Sequence, residues 1–428
     1  MAENLLQRAI SPMAPLKLPT AATSPSSPSR IAVLLNAQAR KVTPRVVRAL
    51  SHVVPRSDLY LSRTPVDARR IAQAVLRRGY DTVFCGGGDG TFIGFADEIL
   101  TEAEAAKATA PRFGVLKLGT GNGLASLVQA SAERGGGVIE DVRRAREGDV
   151  PGYRPLELLR IDGRRAQFAG LGLDAKLLND YLQLKRRVRG TWANWLLTGA
   201  RGYATTIGLR TLPQALAQPM TVEVEVRNSS TLPAYKLDAE GRAIQEYAPG
   251  MVLFRGPVML LAAGTIPFYG YGLRMFPFAG RRPGYFQLRL GTVNPLAALG
   301  HVRALWRGEW FPSGIHDFHV VAARVTCAQP MPLQIGGDAV GTRETVELRM
   351  SSSSTGRALP SPPSPPSPGG RLRSRAGARP VLAQPRSRDG RGFSSDSRRR
   401  PTTRVKLIAA EPPRWRACSA ASSSGTSA

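Results

Sequence analysis

The sequence predicts two folded domains of different class: an α/β domain on a parallel sheet, then a β-rich domain arranged as an antiparallel sandwich. Three observations carry that prediction. Short apolar runs alternate with amphipathic stretches over residues 31–155, and two of the runs end in glycine-rich loops. After Pro151 the pattern changes to strand-length segments joined by turn residues. From Ser351 onward the chain is rich in Ser, Pro and Arg, with little apolar surface from which to build a core. The expected organisation is a flexible leader over 1–30, the α/β domain over 31–155 and the β-rich domain over 156–350, whose last segment is free to return to the first. A disordered basic tail follows over 351–428.

Each element has a local reason. Ile31 to Leu35 is an apolar run ending at Asn36, which reads as a buried strand. Val42 to Val54 reads as a helix, with Pro44 at an early helical position where its missing N–H costs nothing. Leu59 to Leu61 is a brief strand, and Val66 to Arg78 an amphipathic helix with Ile71, Val75 and Leu76 inward. Thr82 to Cys85 is strand again, followed by a helix from Phe92 to about Ala106 and a strand from Phe113 to Leu118. In the second half, strands are expected at Leu156–Ile161, Ala166–Leu171, Thr221–Val226, Val252–Ala262, Tyr285–Leu290 and Asp317–Val325. A basic helical insertion, Asp180 to Thr198, interrupts them.

Composition narrows the function classes. The 428 residues carry a formal charge of +28 and are 42% hydrophobic, which excludes disorder throughout. Residues 31–350 hold 41 Lys and Arg against 27 Asp and Glu, and the last 78 residues hold fifteen against three. A field of that sign suits nucleic acid, an anionic membrane face or a phosphorylated ligand. No zinc finger or GXXG clamp is present, so no specific nucleic-acid partner is expected. Cys85, Cys327 and Cys418 have no metal-ligand spacing. No apolar run reaches the roughly 18 residues of a membrane span.

The chemistry sits in two loops. Gly86-Gly87-Gly88-Asp89-Gly90-Thr91 follows one strand, and Gly119-Thr120-Gly121-Asn122-Gly123 the next. In open parallel sheets, ligands bind beyond the carboxyl ends of the strands. Glycines let the backbone approach phosphate oxygens while helix-start N–H groups donate to them. Neither loop has the spacing of a Walker A or dinucleotide fingerprint. Asp89 beside polyphosphate would be repulsive without a divalent cation, so Asp89 is the candidate metal ligand and a magnesium nucleotide the expected occupant. Asn36 reaches the same rim.

At this point the sequence resembles the diacylglycerol kinase catalytic-domain family, which includes bacterial lipid kinases and sphingosine kinases. Gly86, Gly87, Gly88, Asp89, Gly90 and Thr91 look like its signature loop; Gly119, Thr120 and Asn122 look like its second nucleotide loop. Asn36 and Thr64 occupy places that approach the nucleotide in relatives. The resemblance spans roughly 31–350 and is strongest in the first domain. It implies ATP and magnesium as cofactors and transfer of the γ-phosphoryl group to the hydroxyl of a lipid alcohol, such as diacylglycerol or a sphingoid base. NAD kinases share a similar first loop, so NAD phosphorylation stays open as the alternative, as does a catalytically impaired nucleotide- or lipid-binding relative.

A proton acceptor is needed on the acceptor side. Asp174 lies in Gly170-Leu171-Gly172-Leu173-Asp174-Ala175, a glycine-flanked turn, and resembles the family's Gly-x-Asp-Ala aspartate. Asp338, in Gly336-Gly337-Asp338, falls where relatives carry the glutamate of Asp-Gly-Glu. The resemblance implies Asp338 as general base and Asp174 as the group that orients it. The sequence departs from the family at Gly336, at Gly123 and in Arg281-Arg282-Pro283-Gly284, each lacking an acid. Lys185, Arg186, Arg187 and Arg189, followed by Trp192, Trp195, Leu196 and Leu197, suit an anionic bilayer surface. Ile266 to Phe278, rich in aromatics and glycine, suits either an acyl pocket or core packing. The expected setting is cytoplasmic, peripheral to the inner face of a membrane.

Overall fold

The computed structural model describes residues 30–119, 122–132, 136–149, 153–188, 190–191, 202, 205–206, 213, 221–269, 272–351 and 404–408. The first domain is a six-stranded sheet. Strands β1 (Ile31–Asn36), β2 (Leu59–Ser62), β3 (Thr82–Gly87) and β4 (Arg112–Lys117) run parallel in the order β2-β1-β3-β4. Their near-continuous apolar character follows from burial on both faces. In β1, Ala32 and Leu34 join a core under α2 (Pro65–Arg78) and α3 (Asp89–Ala105). Ile31, Val33 and Leu35 point the other way, toward α1 (Pro44–Leu50) and α5 (Gly137–Arg146). A short α4 (Gly123–Leu127) lies between. Helix α2 starts where its sequence dictates: Thr64 and Asp67 form a capping box, Pro65 opens the first turn and Gly79 closes it at φ +62°.

The remaining two strands of this sheet correct the sequence reading. Strand β5 is Tyr153–Glu157, and the expected strand Leu156–Ile161 is divided between the sheets at buried Leu158. Between β4 and β5 lies Arg404–Ile408, named β18 in chain order, parallel to β4 and antiparallel to β5. The sequence reading places this stretch in the disordered tail; the structure pairs it on both edges, and Leu407 is fully buried there. The rest of the tail and the 1–29 leader lie outside the described residues.

The second domain is antiparallel and β-rich, as expected. Its strands are β6 (Leu159–Ile161), β7 (Arg164–Ala166), β8 (Phe168–Gly172), β9 (Val222–Asn228), β10 (Ala234–Leu237) and β11 (Ala243–Tyr247). They continue as β12 (Val252–Val258), β13 (Leu260–Gly264), β14 (Phe286–Gly291), β15 (Ile315–Val320), β16 (Ala322–Ile335) and β17 (Asp338–Met350). All twelve hydrogen-bond into one sheet rather than the two of a separate-sheet sandwich. The reason lies in β16, which pairs with β9 over Ala323–Cys327 and with β8 over Leu333–Ile335, its register against β17 shifting between. One core takes Leu159, Val226, Leu261, Leu288, Phe318 and Val346 from across the sheet. Helix α6 (Leu173–Arg187) begins seven residues before the predicted insertion and follows β8 directly. Two short helices, α7 (Pro295–Gly300) and α8 (Val302–Arg307), form a hairpin after β14.

A buried cation joins the domains. The Arg165 side chain on β7 is fully buried against α3, where Nη1 donates to Asp97 (2.8 Å) and Thr101 (3.0 Å), and Nη2 pairs with Glu104. Its Nε donates to Ser351 (3.2 Å), and Ser351 N donates to the Leu158 carbonyl (2.8 Å), tying the exit of the second domain to its entrance. A buried charge is tolerable only when paired like this.

Candidate active site

The carboxyl ends of β1, β3 and β4 carry the predicted loops. Gly86 and Gly87 are the last residues of β3, Gly88 is the N-cap of α3, and Asp89 opens the helix. A side chain at Gly87 would strike Thr91 at 2.7 Å, and one at Gly119 would strike the Gly87 carbonyl oxygen at 2.7 Å. The two loops therefore touch backbone to backbone, which only glycine allows. Gly88 provides no side-chain cap, so the first N–H groups of α3 face outward without one, a positive helix end suited to phosphate. Asn36 Nδ2 donates to Thr91 Oγ1 (2.9 Å), so the two expected site residues do meet. Lys117, half-buried at the end of β4, stands beside Gly87 in the sheet register.

Three predicted contacts turn out to have work within the protein itself. Asp89 Oδ2 accepts from Gly123 N (2.7 Å) and its Oδ1 from Leu124 N (3.0 Å), so the carboxylate clasps the first loop to the start of α4. Burial pushes its pKa up, against those two N–H donors. A cation at Asp89 would share its two oxygens with these N–H donors. Among the described residues, no three His, Cys, Asp or Glu gather as a metal cage. Asn122, left-handed at φ 49°, staples its own loop: Oδ1 accepts from Gly119 N (3.0 Å) and Nδ2 donates to Gly119 O (2.7 Å). Thr64 accepts from Asp67 N as a helix cap (3.2 Å). Thr120 and Gly121 lie outside the described residues. The missing acid at Gly123 has a physical reason: a Cβ there would stand 3.3 Å from both Asp89 Oδ2 and the Phe268 side chain, setting a second carboxylate against the first.

The acceptor side presents a hydrogen-bonded polar cluster. Asp174 sits in the first turn of α6, half-buried, its carboxylate lying over Gly170, which has no side chain to occupy the same space. Its Oδ2 accepts from the Tyr269 hydroxyl and from Gln334 Nε2 (3.2 Å), and Gln334 Nε2 also donates to Tyr269. Burial pushes Asp174 up to about 6, while those two donors and the helix-start N–H groups of Asp174 and Ala175 hold it from going higher. Gln334 Oε1 accepts from Gly337 N (2.8 Å), fixing the glycine turn after β16. Gly336 and Gly337 adopt φ +60° and +92°, which explains why the first family acid is a glycine here.

Two close approaches bring this cluster to the glycine loops. The Gly336 carbonyl oxygen lies 3.9 Å from the Cβ position of Gly90, and Phe268, next to Tyr269, packs on Gly123. Asp338, by contrast, is 71% exposed and paired with Arg164 at 2.9 Å, outside that cluster. Within 266–278, Ile266, Met275, Phe276 and Phe278 are buried as core, while Phe268 and Tyr269 turn toward the site. Lys185, Arg186 and Arg187 are exposed at the end of α6; Arg189 and the tryptophans and leucines of 192–197 lie outside the described residues. Sequence reasoning missed Tyr269 and Gln334. The glycines flanking Asp174 and Asp338 were the signal that two turns converge, but nothing local names their partners.

Comparison with known proteins agrees with this geometry. Residues 30–150 match the diacylglycerol kinase catalytic domain. The catalytic-domain match thus covers the parallel sheet and both glycine loops, and ends as β5 begins. Among solved structures, a diacylglycerol kinase-like protein from Bacillus anthracis str. Sterne is 14% identical over 75% of this chain and 94% of its own, with a TM-score of 0.50. A second structure from the same organism is 13% identical with the same coverage and a TM-score of 0.49. At that identity the first supports the fold alone. No curated protein matches the chain.

Proposed function

We propose that the chain is an ATP-dependent lipid kinase that phosphorylates the hydroxyl of a lipid alcohol, with Asp174 rather than Asp338 receiving the proton. The observation that carries this reading is the hydrogen-bonded Asp174–Tyr269–Gln334 cluster, tied through Gly336 and Phe268 to two glycine loops that match a diacylglycerol kinase catalytic domain. A carboxyl with a pKa of about 6 is mostly ionised at neutrality, ready to take a proton, and is a weak enough acid to hold it before giving it up again. Tyr269 and Gln334 hold it in one orientation. The loops hold phosphates by backbone N–H groups, and Asn36 with Thr91 lines the same rim.

ATP supplies the γ-phosphoryl group when bound, and magnesium is expected to arrive on its phosphates, with Asp89 beside them. The acceptor is proposed to be presented by an anionic bilayer on the inner face of the membrane. No helix among the described residues is long and apolar enough to cross one. The test is a phosphorylation assay with labelled ATP and magnesium on the full chain, offered diacylglycerol, a sphingoid base and NAD. Labelled lipid supports the reading; labelled NAD, or no transfer to any acceptor, refutes it. Residues 31–350 alone are the wrong material, because that truncation deletes β18.

A further inference from the structure

The α7–α8 hairpin stands out because neither helix buries a residue. Asn294 caps α7 and Pro295 starts it, so the hairpin is a formed element rather than a frayed loop. Leu296, Leu299, Val302 and Trp306 are 57%, 55%, 47% and 43% exposed, at spacings of three, three and four. Other exposed large apolar residues, such as Leu61, Leu232 and Ile244, sit singly on separate elements and need no explanation. Here four lie on one short hairpin.

Its charge and position say what covers it. Exposed Arg303 and Arg307 share the hairpin, which carries no acid, and Arg274 lies beside it; Glu309, two residues past α8, stands 3.9 Å from Arg307. A second copy of a chain this basic would be repelled, whereas an anionic surface would be attracted. The hairpin is also joined to the acceptor side of the site. Arg274 N donates to the Trp306 carbonyl (3.0 Å), Trp306 Nε1 lies 3.8 Å from the Cβ position of Gly272, and this same loop supplies Phe268 and Tyr269.

We infer that α7–α8 is the surface by which the protein docks on an anionic lipid bilayer, with Leu296, Leu299 and Val302 entering the acyl boundary, Trp306 at headgroup level and the arginines on lipid phosphates. This rests on the lipid-kinase reading for its purpose but not for its test. Docking there would bring the loop that carries Phe268 and Tyr269 close to the membrane, and would place the contact on this hairpin rather than on Lys185–Arg187.

The experiment is sedimentation of the full chain with vesicles of phosphatidylcholine, alone or mixed with phosphatidylglycerol. The wild type should bind mixed vesicles more tightly than neutral ones. Leu296→Glu/Leu299→Glu should weaken that binding about tenfold or more, while thermal stability and phosphorylation of a water-soluble short-chain diacylglycerol stay unchanged. Leu299→Trp should strengthen binding, and Arg303→Glu/Arg307→Glu should remove the preference for phosphatidylglycerol. Unchanged binding by the Leu296/Leu299 variant overturns the inference. So does loss of binding only when Lys185, Arg186 and Arg187 are reversed, or a wild-type dimer that the Leu296/Leu299 variant splits. If neither wild type nor variant phosphorylates a soluble short-chain diacylglycerol or sphingoid base, the kinase reading fails while the vesicle result still decides the docking surface.

Discussion

The two sides of the cleft are built by different means. On the side proposed for the nucleotide the candidate groups are backbone: glycines that touch across loops, uncapped N–H groups at the start of α3, and acids and amides spent on holding the loops together. On the side proposed for the acceptor they are side chains, Asp174, Tyr269 and Gln334, drawn from a helix, a loop and a strand far apart in sequence. A rim made of backbone leaves a compact local signature. A cluster of side chains from three elements leaves none, because each residue alone resembles ordinary core or turn chemistry.

That contrast can be broken at its strongest point first. Asp174→Asn is expected to lower transfer by about 10²–10⁴-fold while nucleotide affinity is kept, measured by steady-state kinetics beside equilibrium nucleotide binding. In the wild type, kcat/KM should fall as pH drops through about 6, where Asp174 takes up its proton. Tyr269→Phe removes a donor that favours the charged form, so this acid limb should move to higher pH. A limb that stays in place would detach Tyr269 from Asp174. For stability the sign is opposite to that of a salt-bridged acid: the folded state binds this proton more tightly than the unfolded chain. Asp174 therefore withdraws stability as pH rises from the ordinary carboxylate range through about 6.

The next effects are on the fold. Leu407→Ala should cost about 2–5 kcal/mol in denaturant unfolding, as expected for a fully buried leucine; no loss would mean that β18 is dispensable to the sheet. Asp89→Ala leaves the N–H groups of Gly123 and Leu124 without their acceptor and should cost about 1–3 kcal/mol per group that stays buried. If the clasp aligns the two loops, nucleotide affinity should weaken in parallel. The smallest effect is assigned to Asp338→Asn, whose exposed pairing with Arg164 is worth under about 1 kcal/mol and whose removal should leave transfer largely intact. A transfer defect there as large as that of Asp174→Asn would restore Asp338 as the base.

The parallel sheet was legible because β1, β3 and β4 are buried on both faces and read as continuous apolar runs, and because capping residues such as Thr64 and Pro65 announce α2 locally. The second domain was legible as β-rich but less so in its joints. The break at Leu158 between two sheets, the change of neighbour along β16 and the use of Arg404–Ile408 as an interior strand all depend on partners distant in the chain. A five-residue apolar stretch in a Ser/Pro/Arg-rich tail carries no sign that a gap awaits it.

The order of residues by itself determined the two domain classes, the place of the glycine loops at strand ends and the backbone-rich character of that rim, because burial pattern, φ freedom and helix capping are decided within a few residues. Tertiary structure alone decided that Asp89 and Asn122 bond to the protein's own backbone, that Asp174 is the carboxylate held within a hydrogen-bonded cluster and Asp338 the exposed one, and that the tail supplies a strand. Solvation and hydrogen-bond partners set what a carboxylate can do, and those are supplied by neighbours that only folding brings together.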